Sequence, residues 1–442
     1  MRGMTKQLLS ALLLIIAGIS ALKMTVGVAA VPSTVPITVV DGNVTSRLIW
    51  EKTYGGTGDD RAFYLAKAKD GYLVVGSSSS SQISNLTVAW ALRLDSKGDA
   101  VWNKTYPEAS GSELRYVVNA GEDFLLVGNV FLPSGDQNGY VVKIDGEGNP
   151  LWTVTVGGDK VDKLFSAAKT SDGGFILVGL TSSWGAGGSD AWIVKIDGNG
   201  EVLWNETHGG KLEDTARGIA VSKDNGYLVV GYTNSFGHGD YDFLLLKINE
   251  NGTFLWNRTY GGPASDKAIA VAQSDGDFIV VGETQSQGAG NVDAWIMSVD
   301  SSGQQLWERT LGGANFDTAS CIAPTEDGSF LVGGFTFSFG SGMRDFWISK
   351  IEQDGRVSWS AAIGRSGYEE AYGVVEVKEN EFVSAGWTDF TGQGRYDFYV
   401  VDAEVTPDSM GNVAWLIVIS VGSVAFVVLL FAVAKLKWRE LT

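Results

Sequence analysis

Apolar and aromatic residues near the middle of the chain gather into four short runs, Ala216 to Ser222, Tyr227 to Thr233, Tyr241 to Ile248 and Thr253 to Thr259, each bounded by Gly, Asn or Asp. Runs of this length, rich in β-branched and aromatic residues and cut by turn formers, predict strands. Asp224-Asn225-Gly226 joins the first pair and Asn249-Glu250-Asn251-Gly252 the last pair. Both sequences predict tight hairpins, because Asn and Gly accept positive φ at little cost. The pattern then repeats. Trp50, Trp102, Trp152, Trp204, Trp256, Trp307 and Trp359 mark the copies, at spacings of 52, 50, 52, 52, 51 and 52 residues. Four antiparallel strands per period, seven times over, predict an all-β fold: a seven-bladed β-propeller of four-stranded antiparallel blades.

The ends of the repeat predict how the ring closes. The last copy offers strands near Ala371 to Val377, Phe382 to Thr388 and Tyr396 to Val401 but no fourth, while Val44 to Tyr54 is a fourth strand without a copy before it. The N-terminal strand is therefore expected to complete the last blade and leave no open sheet edge. The recurring tryptophans, with Trp90, Tyr140, Trp192, Trp295, Trp347 and Tyr399 on the third strands and Leu244 in the fourth copy, are expected to fill the wedges between blades. Length alone would suggest two or three domains. The repeat replaces that with one ring over 44–402.

Outside the ring, residues 1–30 have the layout of a signal peptide: Arg2 and Lys6, an apolar run from Leu8 to Leu22, then Val28, Ala29 and Ala30. A linker follows over 31–43. Val413 to Ala434 carries no charge over 22 residues, which as a helix would reach about 33 Å and cross a bilayer. A short stalk, 403–412, precedes it. Lys435, Lys437 and Arg439 in the tail 435–442 place that tail in the cytoplasm and the propeller outside the cell. The expectation is a single-pass membrane protein whose propeller is extracellular. Cys321 is the one cysteine, so no intrachain disulfide forms, and its place in a strand predicts a small buried apolar side chain. Sequons at Asn43, Asn85, Asn103, Asn205, Asn251 and Asn257 are candidate glycan sites in an exported chain.

The net charge of −18 argues against nucleic acid as a partner. In a propeller, the loops from strand four to the next strand one and from strand two to strand three share one face, and here those loops are long. An acidic residue stands ten positions past six of the tryptophans, at Asp60, Asp162, Asp214, Asp266, Asp317 and Glu369, with Ser112 in the second copy. These six are expected near the mouth of the central channel. They either accept backbone N–H bonds and fix the blade junctions or form a mouth that attracts cations or polar ligands. A second acidic set, Asp190, Asp242, Asp293, Asp345 and Asp397, precedes strand three within a Ser-x-Gly-x-Gly pattern that the first two copies break. His208 and His238 lie in loops of one copy and are expected to act singly rather than as a metal pair.

The segment from Asp172 to Trp204, with its Gly-Gly, Thr-Ser, Gly-x-Gly, Asp-x-Trp and Asp-x-x-Gly signatures, resembles the repeat of uncharacterised archaeal and bacterial surface proteins of the quinoprotein-like and kelch-like propeller superfamily. The resemblance implies the fold over most of the chain and little about activity. Asp197, Gly200 and Trp204 resemble the Asp box of sialidase-type propellers, one residue longer on each side, so no sialidase site is carried over. A quinoprotein dehydrogenase resemblance would imply a quinone in the channel and a bound calcium. No vicinal cysteine pair, His-Glu-x-x-His or Gly-x-Ser-x-Gly motif is present. The reading is a non-enzymatic binding or scaffold module for a protein, glycan or surface-layer partner, with no cofactor expected and a divalent cation compatible with the acidic positions. The alternative is a carbohydrate-active enzyme, which needs only two suitably spaced carboxylates, or a quinone-dependent one.

Overall fold

The structure is a computed structural model that describes residues 35–42, 44–80, 86–106, 111–390, 394–407, 415–421 and 424–430. The expected signal peptide and cytoplasmic tail lie outside the described residues, as do Asn43 and Asn85. Seven antiparallel sheets follow one another around a ring. Their innermost strands are Asp60–Ala68, Ser112–Asn119, Asp162–Lys169, Asp214–Val221, Asp266–Ser274, Asp317–Pro324 and Glu369–Lys378, and they number blades one to seven. Blade four shows the plan: Asp214–Val221, Tyr227–Thr233, Asp242–Ile248 and Phe254–Tyr260, ordered from the channel outward. Its four elements match the four apolar runs to within about two residues.

Closure follows the expected route and adds a strand. Val44–Tyr54 pairs with Asp397–Pro407 from Val44↔Pro407 to Tyr54↔Phe398 and completes blade seven. That last strand extends five residues beyond Asp402, so half of the expected stalk belongs to the sheet. The expected linker is also corrected. Ile37–Asp41 within it forms a strand that pairs with Val357–Ile363 and gives blade six a fifth, outermost strand. Its β-branched residues Ile37, Thr38, Val39 and Val40 favour a strand, and its partly exposed positions suit an edge.

The expected transmembrane helix is not found. Trp415–Val421 and Val424–Leu430 instead form two strands paired with each other, and no helix among the described residues is long and apolar enough to cross a membrane. The run is rich in Val and Ile, whose β-propensity competes with the helical reading of its hydropathy.

Packing between blades explains the aromatic repeats. The third-strand aromatics Trp90, Tyr140, Trp192, Trp295, Trp347 and Tyr399 are all buried, as is Leu244, within apolar clusters that join neighbouring blades. Ile176 and Ile193 of blade three pack with Tyr227 and Leu246 of blade four in this way. Each outer-strand tryptophan reaches across to the hairpin turn of the next blade. Trp307 Nε1 donates to the Gln353 carbonyl at 2.9 Å, and Trp152 Nε1 to that of Gly198 at 3.1 Å. The glycine ending such a turn is held in the left-handed region, with φ +79° at Gly303, and a β-carbon there would lie 2.6 Å from Trp256. Trp359 has no such turn ahead of it, since the third strand of blade seven ends the ring. Gly42, at φ +94°, lies against its Cα and Cβ, and the fully buried Trp359 ring stacks on Phe382 of blade seven at 5.7 Å.

Candidate functional site

The six acids expected at the channel mouth are instead sealed inside the blade junctions. Asp60, Asp162, Asp214, Asp266 and Asp317 are 0 % exposed and Glu369 1 %. At Asp214, Oδ2 accepts the Gly210 N–H at 2.7 Å and the Ser235 hydroxyl at 2.7 Å, while Oδ1 accepts the Thr233 hydroxyl. Asp266 repeats this with Gly262, Ser286 and Thr284, and Asp317 with Gly313, Ser338 and Thr336. Asp162 does so with Gly158, Ser183 and Thr181. Asp60 keeps the Gly56 and Ser80 bonds, but Ser78 stands where the others have threonine and Asp60 Oδ1 is left without a partner. Glu369 accepts from the Arg365 N–H at 3.0 Å and from Thr388 at 2.9 Å. In blade two, Ser112 bridges the Tyr106 carbonyl and the Ala89 N–H. The geometry suits the structural alternative, since most of these carboxylates accept two or three internal bonds that fix the junction.

Both acidic sets meet at these junctions. A methyl group at Gly209 would collide with Asp190 Oδ1 and lie 2.7 Å from Asp214 Oδ2. Gly55 is flanked in the same manner by Asp397 and Asp60, Gly261 by Asp242 and Asp266, Gly312 by Asp293 and Asp317, and Gly364 by Asp345 and Glu369. Backbone bonds tie the same points, with Asp214 N–H donating to the Ser189 carbonyl at 2.7 Å and Glu369 N–H to that of Arg344 at 2.7 Å. Burial, with a smaller contribution from a neighbouring acid, raises the pKa of Asp397 to about 6 and that of Glu369 to about 7. Blade two supplies Asn138 in place of the acid, so Asp162 has an amide neighbour. The sequence displayed both sets, but strand periodicity does not say that one blade's third strand meets the next blade's first.

The channel itself is lined by residues that sequence reasoning passed over. Every innermost strand carries a β-bulge between the second and fourth residues after its junction position, as at Leu164/Ser166 and Ala216/Gly218. The bulged residues are Phe63, Arg115, Phe165, Arg217, Ile269, Ser320 and Tyr372. A bulge re-aims one side chain out of the pleat, and these seven surround a cavity of about 120 Å³. The one signal in the sequence is that this position varies freely while its neighbours are mostly small or apolar. Below the cavity the Tyr116 hydroxyl donates to that of Tyr64 at 3.1 Å, and Cys321, buried as expected with its thiol pushed up to about 12 by burial, lies beside them.

Above the cavity, cations sit on aromatic rings of the long loops. Arg344 Cζ is 4.3 Å from the Phe335 ring and 4.7 Å from that of Phe337, Arg61 is 4.2 Å from Tyr396, and the Lys267 ammonium is 4.7 Å from Tyr241. Farther out, Trp184, Leu212, Phe236, Met343 and Phe390 on the same loops are 40 to 53 % exposed. Among the candidate glycan sites, Asn103, Asn205 and Asn257 each follow the tryptophan of an outer strand and Asn251 is exposed on a turn. His208 stacks on Phe254 at 4.8 Å and meets the Asn257 amide, while His238 is exposed. Among the described residues no group of three or more His, Cys, Asp or Glu is arranged to hold a metal. The channel does not fit the quinone and calcium of a quinoprotein, since a cavity of about 120 Å³ falls below the roughly 300 Å³ at which cofactor pockets begin.

No family model matches the chain. It is 27 % identical over 246 residues to the regulatory protein FlaEY of Caulobacter vibrioides, a match covering 45 % of this chain and 25 % of that protein. The chain thus spans about a quarter of that relative's length. Among solved structures, a puromycin hydrolase S511A mutant complexed with PGG is similar at a TM-score of 0.50 and 15 % identity, covering 78 % of this chain and 52 % of that one. Sqt1 from Chaetomium thermophilum is similar at a TM-score of 0.45 and 12 % identity, covering 78 % and 82 %. At 15 % identity the hydrolase likeness speaks for the fold alone, and by its own strand order the chain is an all-β, seven-bladed propeller of four-stranded antiparallel blades.

Proposed function

We propose that this propeller is a non-enzymatic binding or scaffold module at the cell surface, and that its long-loop face engages a protein or glycan partner of the cell envelope. The observation that carries the reading is the set of exposed apolar side chains, Trp184, Leu212, Phe236, Met343 and Phe390, on the loops of that one face. Aromatic and Met side chains presented on polar loops are the usual anchors of an interface. The acids that an enzyme or a cation site would use are committed within the blade junctions, which supports a framework role for them.

Surface display rests on the sequence: the signal-like layout of residues 1–30, the sequons, and the uncharged run 413–434 with basic residues after it, which suits attachment to a membrane. The last propeller strand begins on the long-loop face and ends on the turn face, so attachment there would turn the long loops outward. Co-sedimentation of the full-length protein with purified envelopes of its source cells tests this. The Trp184→Ser/Phe236→Ser double variant is expected to lose at least tenfold in bound fraction with an unchanged melting temperature. A Glu147→Ser variant on the opposite face is expected to bind as the parent does. Equal retention of all three would remove the long-loop face from the function.

A further inference from the structure

The channel holds two arginines, each stacked on the phenylalanine of the blade before it. Arg115 Cζ lies 4.1 Å from the Phe63 ring centroid and Arg217 Cζ 4.3 Å from that of Phe165. Both side chains line the cavity of about 120 Å³, with Tyr372 and Ser320. Arg115 is neutralised: its fork donates to both oxygens of Glu113, at 2.9 Å each. Arg217 is not. Among the described residues no carboxylate lies within the 4.0 Å of an ion pair with it, and its guanidinium donates no hydrogen bond.

Three considerations make that vacancy informative. A guanidinium held in a channel with only part of its surface open to water, and with no acidic partner, is costly to keep. In a chain with 51 acidic residues against 33 basic ones, carboxylates are not scarce. The fold also does not require a cation at this position, because Phe63, Phe165, Ile269, Ser320 and Tyr372 occupy the equivalent bulge in other blades. Burial and the like charge of Arg115 lower the Arg217 pKa, opposed by Tyr232, Tyr372 and the more distant Glu283 of the neighbouring blade.

We propose that the central cavity is a binding site for a small oxyanion, a carboxylate or phosphoryl group, gripped by the free fork of Arg217 and flanked by Arg115. A guanidinium fork matches two oxygens of such a group. Phe63, Phe165 and Tyr372 offer ring surface to a flat apolar body attached to it. At about 120 Å³ the cavity is smaller than one of about 150 Å³ that holds benzene, so it admits the oxyanion group with only part of an attached ring. This inference concerns the channel and stands independently of the partner on the long-loop face.

The test uses the full-length protein, isothermal calorimetry and thermal melts, with sodium benzoate and inorganic phosphate as probes against sodium chloride at equal ionic strength. Saturable binding of one probe per chain is expected, with a rise in melting temperature that chloride does not give. Benzoate bound more tightly would indicate a carboxylate on a flat body, phosphate a phosphoryl group. Arg217→Met should weaken the binding at least tenfold while leaving the ligand-free melting temperature unchanged or raised, because it removes a charge that has no acidic partner and keeps a similar volume. Arg217→Lys keeps the charge but loses the fork, and is expected to bind about tenfold more weakly; it also serves should the Met variant fail to fold. Absence of saturable binding by either probe, parent-like binding by a folded Arg217 variant, or a fall in ligand-free melting temperature with binding intact would overturn the proposal.

Discussion

At the scale of residues, the junction carboxyls are acids in name and buried hydrogen-bond hubs in practice. Replacing Asp214 by Ala strands the Gly210 N–H and the Thr233 and Ser235 hydroxyls. The expected cost is about 3 kcal/mol, read as a lower denaturation midpoint, with Asp214→Asn intermediate. Their pairing also sets a pH dependence. An unfolded carboxyl titrates near 4, whereas Asp397 is raised to about 6 and Glu369 and Asp402 to about 7, in each case chiefly by burial. Between pH 4 and 7 the folded chain therefore holds more protons than the unfolded one, and this contribution to stability is full at the acid end and lost as pH rises. Asp172 and Asp224 work in the opposite direction. Each is held at about 2, Asp172 by Thr170 and Lys195, Asp224 against its burial by Ser222 and Lys247, so their contribution is present above pH 4 and lost as pH falls toward 2. Melting temperature should accordingly peak near pH 4 to 5. Asp397→Asn, which copies what Asn138 already does at another junction, should raise stability at pH 8 by roughly 1 kcal/mol and change little at pH 4.5. A flat melting profile from pH 4 to 8 would contradict the pairing.

At the scale of elements, the turn and the tryptophan form one device across two blades. Gly303→Ala must adopt positive φ and also displace the Trp256 ring, whereas Gly173→Ala, at φ +85° with nothing within 4 Å, meets only the backbone penalty. Chemical denaturation should show roughly 2 to 3 kcal/mol lost in the first case and about 1 in the second. Equal losses would mean that the ring contact contributes nothing. The strands were readable because turn formers bound each run and the tryptophans fix the period. The bulges were not, because one extra residue in an inner strand leaves the apolar run looking unbroken, and so Arg115 and Arg217 gave no sign that they face a channel. The role of Asp214 was readable only as two alternatives, since the threonine and serine that occupy it lie 19 and 21 residues away in a loop whose return path the sequence does not state. The run 413–434 reads as a helix by hydropathy, but its Val and Ile residues favour strands as well, and its described parts are two paired strands.

At the scale of the whole molecule, the N-terminal strands hold two blades at once. A chain lacking residues 1–42 loses the fifth strand of blade six and the Gly42 contact with Trp359 but keeps blade seven complete. It should melt in one transition at a lower temperature. A chain lacking residues 1–55 bares the edge of Asp397–Pro407 and should aggregate, which light scattering would report; a monomeric, cooperatively folding product would refute the closure. That seam also sets a timetable. Glu51 meets Tyr399 across 348 residues of chain, an interval of roughly 20 to 70 s at ordinary rates of synthesis. For all of that time the N-terminal strand waits unpaired while six blades are made, so a ribosome that stalls late releases a product whose seventh blade is unfinished and whose N-terminal strand has no sheet to join. Closure of the ring is therefore a signal that the chain has been made as far as Pro407.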